Sequence, residues 1–204
     1  MWRFRTRALA FPTAEGYGRF ARGGRGGRVI EVTNLEDYDA AKGDAVIPGS
    51  LRSAIEAQGP RTIIFRVSGL IHLKKPCAVH NPYCTVAGQT APGDGICLRD
   101  YTFGIATHDV VVRYLRGRLG DETAQEADCI DLLNGAHHCV IDHCSATWSI
   151  DECLSTSGNN QFCTIQWCLI GESLRQSNLA KGPHGYGSLA RANGPISWHH
   201  NLWI

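Results

Sequence analysis

An all-β fold, a parallel β-helix with a short capping helix near its N-terminal end, is what three features of this sequence predict. The first is a repeat. Ala127-Asp-Cys-Ile130 is answered by Asp151-Glu-Cys-Leu154, and Cys139-Val-Ile-Asp-His-Cys144 by Cys163-Thr-Ile-Gln-Trp-Cys168. Cys129, Cys139 and Cys144 each recur 24 residues on, the period of a stacked solenoid whose coils bury their faces only against their neighbours. The second is that the repeating segments are too short for helical repeats. The third is their wealth of β-branched residues between Gly and Asn turn signals.

The elements follow in order. Residues 11–34 interleave six glycines with Arg19, Arg22, Arg25 and Arg28. A phosphate cradle would need Walker spacing in a strand-to-helix context, which is missing. A lead-in whose backbone passes close to other backbone is expected instead. Residues 48–56, Pro-Gly-Ser-Leu-Arg-Ser-Ala-Ile-Glu, read as a short helix with Leu51, Ala54 and Ile55 on one face, capping the open end of the solenoid. Strands are expected over 62–67, 84–87, 110–115, the two matched coils and 195–202. Their alignment stacks Arg113-Tyr-Leu115, Asp142-His-Cys144, Gln166-Trp-Cys168 and His199-His-Asn201, with offsets of 29, 24 and 33 residues. Coil length therefore varies through loops, which build the binding face of such a scaffold.

The chain has 204 residues, 43% hydrophobic and 19% charged, with 23 Gly and one Met. That suits one domain, residues 11–204, and not a helical bundle. A net charge of +1 gives no ground for a nucleic-acid or membrane partner, and no apolar run approaches the roughly 20 residues of a membrane span. Residues 1–10, MWRFRTRALA, are basic and end in Ala8-x-Ala10. They read either as the tail of a signal peptide or as an ordinary disordered terminus. Nine cysteines suggest a disulfide framework. In-register cysteines on parallel strands, however, point the same way about 4.8 Å apart, which suits a disulfide poorly. Buried thiols acting as small hydrophobes are expected. Ile204 falls in or just after a strand with no capping element, so either a covering chain or a truncated piece of a longer protein is expected.

With Cys129 and Cys153 inward, strand alternation sends Asp128 and Glu152 outward, one above the other, together with Ile130 and Leu154. Asp151 lies where a loop enters the second strand. Like charges about 5 Å apart repel by roughly 3 kcal/mol at an effective dielectric near 20, so one carboxylate takes up a proton or a cation sits between them. All-oxygen donors favour a hard ion such as Ca²⁺; a solvated acidic face with no ion is the alternative. The histidines lack zinc-site spacing. Lys181-Gly-Pro-His184-Gly-Tyr-Gly187 turns tightly beside the acids, where Lys181 could reach an anionic substrate or be a solvated loop lysine.

Several of these runs resemble one family. Val140-Ile-Asp-His143 is similar to the W-I-D-H strand of pectate lyases of the first polysaccharide lyase family. The run from Gly88-Gln-Thr-Ala-Pro-Gly-Asp-Gly95 to Arg99, Asp142-His-Cys-Ser-Ala-Thr-Trp-Ser149, Asp151-Glu152, the Lys181–Gly187 segment and His199-His-Asn-Leu202 resemble its bacterial secreted branch. The likeness runs from about residue 11 to 204. It implies a right-handed parallel β-helix, secreted, monomeric when its C-terminal coils are present, and cleaving polygalacturonate (α-1,4-linked galacturonan) by calcium-assisted β-elimination, with little or no product expected from residues 1–204 alone. Asp128 and Asp151 match two of the family's calcium ligands. The third falls on Ser155, and Glu152, stacked on Asp128, stands in for it. The substrate-binding lysine matches Arg175 by strand count and Lys181 by residue type; Lys181 is preferred as the catalytic-site lysine, with Arg175 and His184 as substrate neighbours. The family's catalytic Arg follows His-His-Asn and is expected beyond Ile204. Two rivals stand beside this: a polygalacturonase-type hydrolase recruiting Asp128 and Asp151, and a non-catalytic pectin-binding β-helix.

Overall fold

A computed structural model describes residues 7–180 and 182–204. Residues 10–27 cross the outside of the coils as a strap. β1 (Arg28–Val32) opens the longest sheet, and α1 (Leu51–Glu56) follows. Four complete coils come next. They are β2 (Arg61–Phe65), β3 (Gly69–His72), β4 (Cys77–Val79); β5 (Cys84–Ala87), β6 (Ile96–Arg99), β7 (Phe103–Ile105); β8 (His108–Arg113), β9 (Leu115–Arg118), β10 (Ile130–Leu132); and β11 (His137–Asp142), β12 (Ser145–Thr147), β13 (Leu154–Thr156). β14 (Cys163–Gln166), β15 (Leu169–Gly171), β16 (Ile196–His199) and β17 (Leu202–Trp203) complete the series.

Successive strands of a coil belong to different sheets. The first sheet runs β1-β2-β5-β8-β11-β14-β16, the second β4-β7-β10-β13 and the third β3-β6-β9-β12-β15-β17. The ladder pairs are parallel, which is the predicted parallel β-helix. Ile63, Val86, Val112, Ile141 and Ile165 form one interior column, each in register with the next and each fully buried. The thiols that set the 24-residue period line the same interior, and all nine cysteines are free. Burial pushes Cys129 and Cys144 up to about 12, so they pack as small hydrophobes and not as nucleophiles.

The predicted helix is present as α1. Ser50 Oγ accepts from the Ser53 N–H at its start, satisfying one of the amides a helix leaves unpaired. At its end the buried Arg61 guanidinium donates to the carbonyls of Ala54 and Ile55. Leu51, Ala54 and Ile55 join the core, closing the first coil as expected.

Two expectations need correction. The strands read over 110–115 and 195–202 are each broken, at Tyr114 and His200. Tyr114, His143, Trp167 and His200 take φ of 57°, 52°, 56° and 55°, a left-handed conformation that turns the chain from the first sheet into the third. Their rings still stack in the expected column, with centroids 4.8, 6.0 and 4.3 Å apart. Ile130 and Leu154, expected outside, are 1% and 0% exposed. Cys129 and Cys153 sit just before the strands of the second sheet begin, so strict alternation does not carry across and both neighbours face the core.

The glycine-dense lead-in behaves as predicted. A Cβ on Gly24 would lie 1.9 Å from the Arg61 carbonyl oxygen, and one on Gly18 would lie 2.2 Å from that of Cys139. Only glycine lets strap and sheet backbones approach so closely.

Candidate active site

The register Ile130↔Leu154 sets Asp128 directly over Glu152, because each lies two residues before that pair. The Glu152 N–H donates to Asp128 Oδ1 at 3.3 Å. Asp151 arrives from the loop after β12. One oxygen from each of Asp128, Asp151 and Glu152 lies within 4.8 Å of the others. The three acids predicted from the repeat are therefore brought together.

Their electrostatics follow from that crowding. Burial, then the Asp128 and Asp151 carboxyls, push Glu152 up to about 7. Asp128 is also raised, by burial first, while the Ser155 hydroxyl and Glu152 work against the rise. Ser155, where the resemblance implied a third ligand, thus touches the cluster as a hydroxyl. Three converging carboxylates, with all-oxygen donors and protonation favoured in the ion's absence, fit a hard divalent cation such as Ca²⁺.

His184 Nε2 is 2.6 Å from Asp151 Oδ1, and its ring packs edge-on against Tyr186 at 4.8 Å. Its segment is held to the coil: Tyr186 bridges Glu152, and the Cys153 N–H donates to the Tyr186 carbonyl. His184 therefore fixes an acid of the cluster. Arg175 is exposed and joins only through its backbone carbonyl, which accepts from the His184 N–H; it does not line the cavity beside the acids. Lys181 lies outside the described residues, as does the start of the basic N-terminal run.

That cavity, about 430 Å³, opens on the outer face of the second sheet between Ala78, Thr102, Gly104, Asp131 and the acids. Asp131 was not singled out by the repeat. It is pushed up to about 6 by burial, with the Ser157 hydroxyl donating to both of its oxygens at 3.0 and 2.9 Å. Its signal was present in the sequence, since a lone acid between Ile130 and Leu132 must face out of the strand. Glu126 was also missed; it lines the cavity and clusters with Asp151 and His184.

None of the known protein-family models matches the chain. Among curated proteins it is similar to a probable pectate lyase C of Emericella nidulans, 38% identical over 98% of this chain and 43% of that protein. A probable pectate lyase C of Aspergillus terreus is 37% identical over 96% of this chain and 43% of its own length. A probable pectate lyase 5 of Arabidopsis thaliana is 31% identical over 65% of this chain and 35% of that protein. The chain thus spans less than half the length of the curated relatives it matches. Among solved structures it resembles the cedar-pollen major allergen Jun a 1 (TM-score 0.61, 24% identity, 77% of this chain and 49% of that one). It also resembles a pectate lyase from Bacillus sp. N165 in complex with trigalacturonate (TM-score 0.60, 15% identity, 92% and 60%). At these identities the two structures establish the fold, and the curated relatives are fungal and plant proteins. The chain is a parallel β-helix related over nearly all of its length to proteins named as pectate lyases.

Proposed function

We propose that this chain is the calcium-binding part of a secreted pectate lyase acting on α-1,4-linked galacturonan by β-elimination. The observation that carries the reading is the convergence of Asp128, Asp151 and Glu152 beside an open cavity on one sheet face, in a chain whose relatives bear that name. Asp128, Asp151 and Glu152 would hold the ion, with His184 orienting Asp151. When bound, calcium supplies charge that neutralises a substrate uronate and so acidifies its C5 proton. Elimination then removes that proton, forms the C4–C5 double bond and breaks the C4–O bond of the same sugar, the glycosidic oxygen leaving as the C1 hydroxyl of its neighbour. A base must take the proton. No arginine lines the cavity among the described residues, so the residues in view bind and orient.

The hydrolase reading fares less well. An inverting pair stands roughly 6.5–9.5 Å apart to admit water and a retaining pair about 5–5.5 Å; these oxygens all lie within 4.8 Å, which speaks against inversion and leaves a retaining hydrolase to the product assay. The test is digestion of polygalacturonate with calcium, following ultraviolet absorbance of the unsaturated product and calcium binding by calorimetry. Calcium binding that is lost in Asp151→Asn/Glu152→Gln supports the reading, as does absorbance that chelator and the same variant abolish once an arginine-bearing C-terminal extension supplies the base. New reducing ends without absorbance, or no calcium binding by the wild-type chain, would overturn it.

A further inference from the structure

Residues 18–28 read Gly-Arg-Phe-Ala-Arg-Gly-Gly-Arg-Gly-Gly-Arg, two interleaved series of period three. Gly18, Ala21, Gly24 and Gly27 press on the first sheet. The N–H groups of Gly18 and Gly24 donate to Thr164 and Thr85 Oγ1 at 2.8 and 2.9 Å. Ala21 packs with Val111 and Val140, and a Cβ on Gly27 would lie 2.0 Å from the Pro60 carbonyl oxygen. The next residue in each triplet, Arg19, Arg22, Arg25 and Arg28, is exposed. Six residues of strap pass from β14 to β5, three strand spacings, so successive arginines stand roughly 7 Å apart along the helix axis.

The packing explains the small residues and leaves the arginines unexplained. None of the four forms an ion pair with a carboxylate among the described residues. Arg19 and Arg28 donate only to the backbone carbonyls of Gly16 and Gln58, Arg25 to those of Leu9 and Ala10, and Arg22 lies over the Tyr83 ring. Neutral partners leave their charge uncompensated. Beside the ridge run two cavities of about 460 and 410 Å³ that share Arg7, Phe20 and His138. The first adds His108 and His137. The one carboxylate lining either cavity, Asp109, already accepts from the Arg22 N–H and sits 2.9 Å from His108 Nδ1. In a chain of net charge +1, this is a local concentration of positive charge.

We propose that the strap is a second docking surface for acidic polysaccharide, on which a run of linked uronates lies along the arginine series. It is on the first sheet, whereas the carboxylate cavity is on the second. The identity of the polymer rests on the function proposed above; the ridge itself does not. Each exposed contact is weak, but several on one polymer act together and hold it near the cavity. A single-stranded nucleic acid would want free ring faces for stacking. Here only Tyr17 offers an open face, while the other rings contact one another, His108 on His137 at 4.9 Å and His138 against Phe162 at 5.0 Å.

The test is affinity electrophoresis of the chain through gels containing polygalacturonate, with chelator present so that no ion bridges polymer and acids. The Arg19→Gln/Arg22→Gln/Arg25→Gln variant is expected to bind about tenfold more weakly, with its calcium affinity unchanged by calorimetry. The matching triple Lys variant is expected to keep most of the retardation, and Asp151→Asn/Glu152→Gln to keep it all while losing calcium. Unchanged retardation of the triple Gln variant would overturn the docking surface. So would tighter binding to oligo-dT than to polygalacturonate at equal ionic strength. Failure of the lyase reading shows instead in the calcium and product measurements.

Discussion

The amide of Glu152 donates to Asp128 across one coil, at 3.3 Å, so the two residues that repel through their side chains are also tied through the backbone. The parallel ladder keeps them stacked whether or not an ion lies between them, and the cost of that crowding appears as raised protonation. Four expectations follow from this and from the packing around it.

Without calcium, stability should fall as pH rises through about 4 to 6. Asp131 is raised to about 6 by burial, so the folded chain keeps a proton that the unfolded chain has released. Its stabilising effect is complete below the ordinary carboxylate range and lost by about pH 6. Asp131→Asn should therefore stabilise the calcium-free chain by about 2 kcal/mol at pH 7.5 and have little effect at pH 4. Thermal melts at the two pH values check this; equal shifts at both would refute it.

Ser155→Asp restores a carboxylate beside Asp128. Ser155 is fully buried and in register with Asp131, so one more carboxylate beside Asp128, Asp151, Glu152 and Asp131 should cost about 1–3 kcal/mol in the calcium-free chain. Added calcium should more than recover that loss. The expected signature is a calcium-induced rise in melting temperature larger than that of the parent, measured by calorimetry with and without chelator.

Trp167 holds the ring column between His143 and His200 at a φ of 56°. Trp167→Ala should destabilise by about 1–2 kcal/mol through lost ring contacts. Trp167→Gly should cost about 1 kcal/mol less than the alanine, since glycine meets no steric penalty there. Denaturant unfolding of the pair decides it; a glycine variant weaker than the alanine would show that the turn carries no strain.

Gly24→Ala should lift the strap, because its Cβ would fall 1.9 Å from the Arg61 carbonyl oxygen. The expected loss is about 2 kcal/mol, with faster tryptic cleavage after Arg22 and Arg25 than in the parent chain. Cleavage at an unchanged rate would place the strap's hold elsewhere.

The repeat alone determined that Cys129 and Cys153, Cys139 and Cys163, and Cys144 and Cys168 are vertical neighbours. A parallel ladder forces every residue of one coil over its counterpart, so a fixed offset in sequence becomes a fixed position in space. From that came the stacking of Asp128 on Glu152, the thiol-lined interior and the column of Tyr114, His143, Trp167 and His200. Tertiary structure decided what the period does not encode. Left-handed corners broke two strands that hydropathy read as continuous, and the turn into the second sheet buried Ile130 and Leu154. Only the folded path of the loop after β15 could set His184 on Asp151 while leaving the Arg175 side chain out of the cavity. Loops answer to the coils they cross and not to their own pattern, which is also why the arginines of the strap became a ridge only once Gly18 and Gly24 were seen pressed against the sheet.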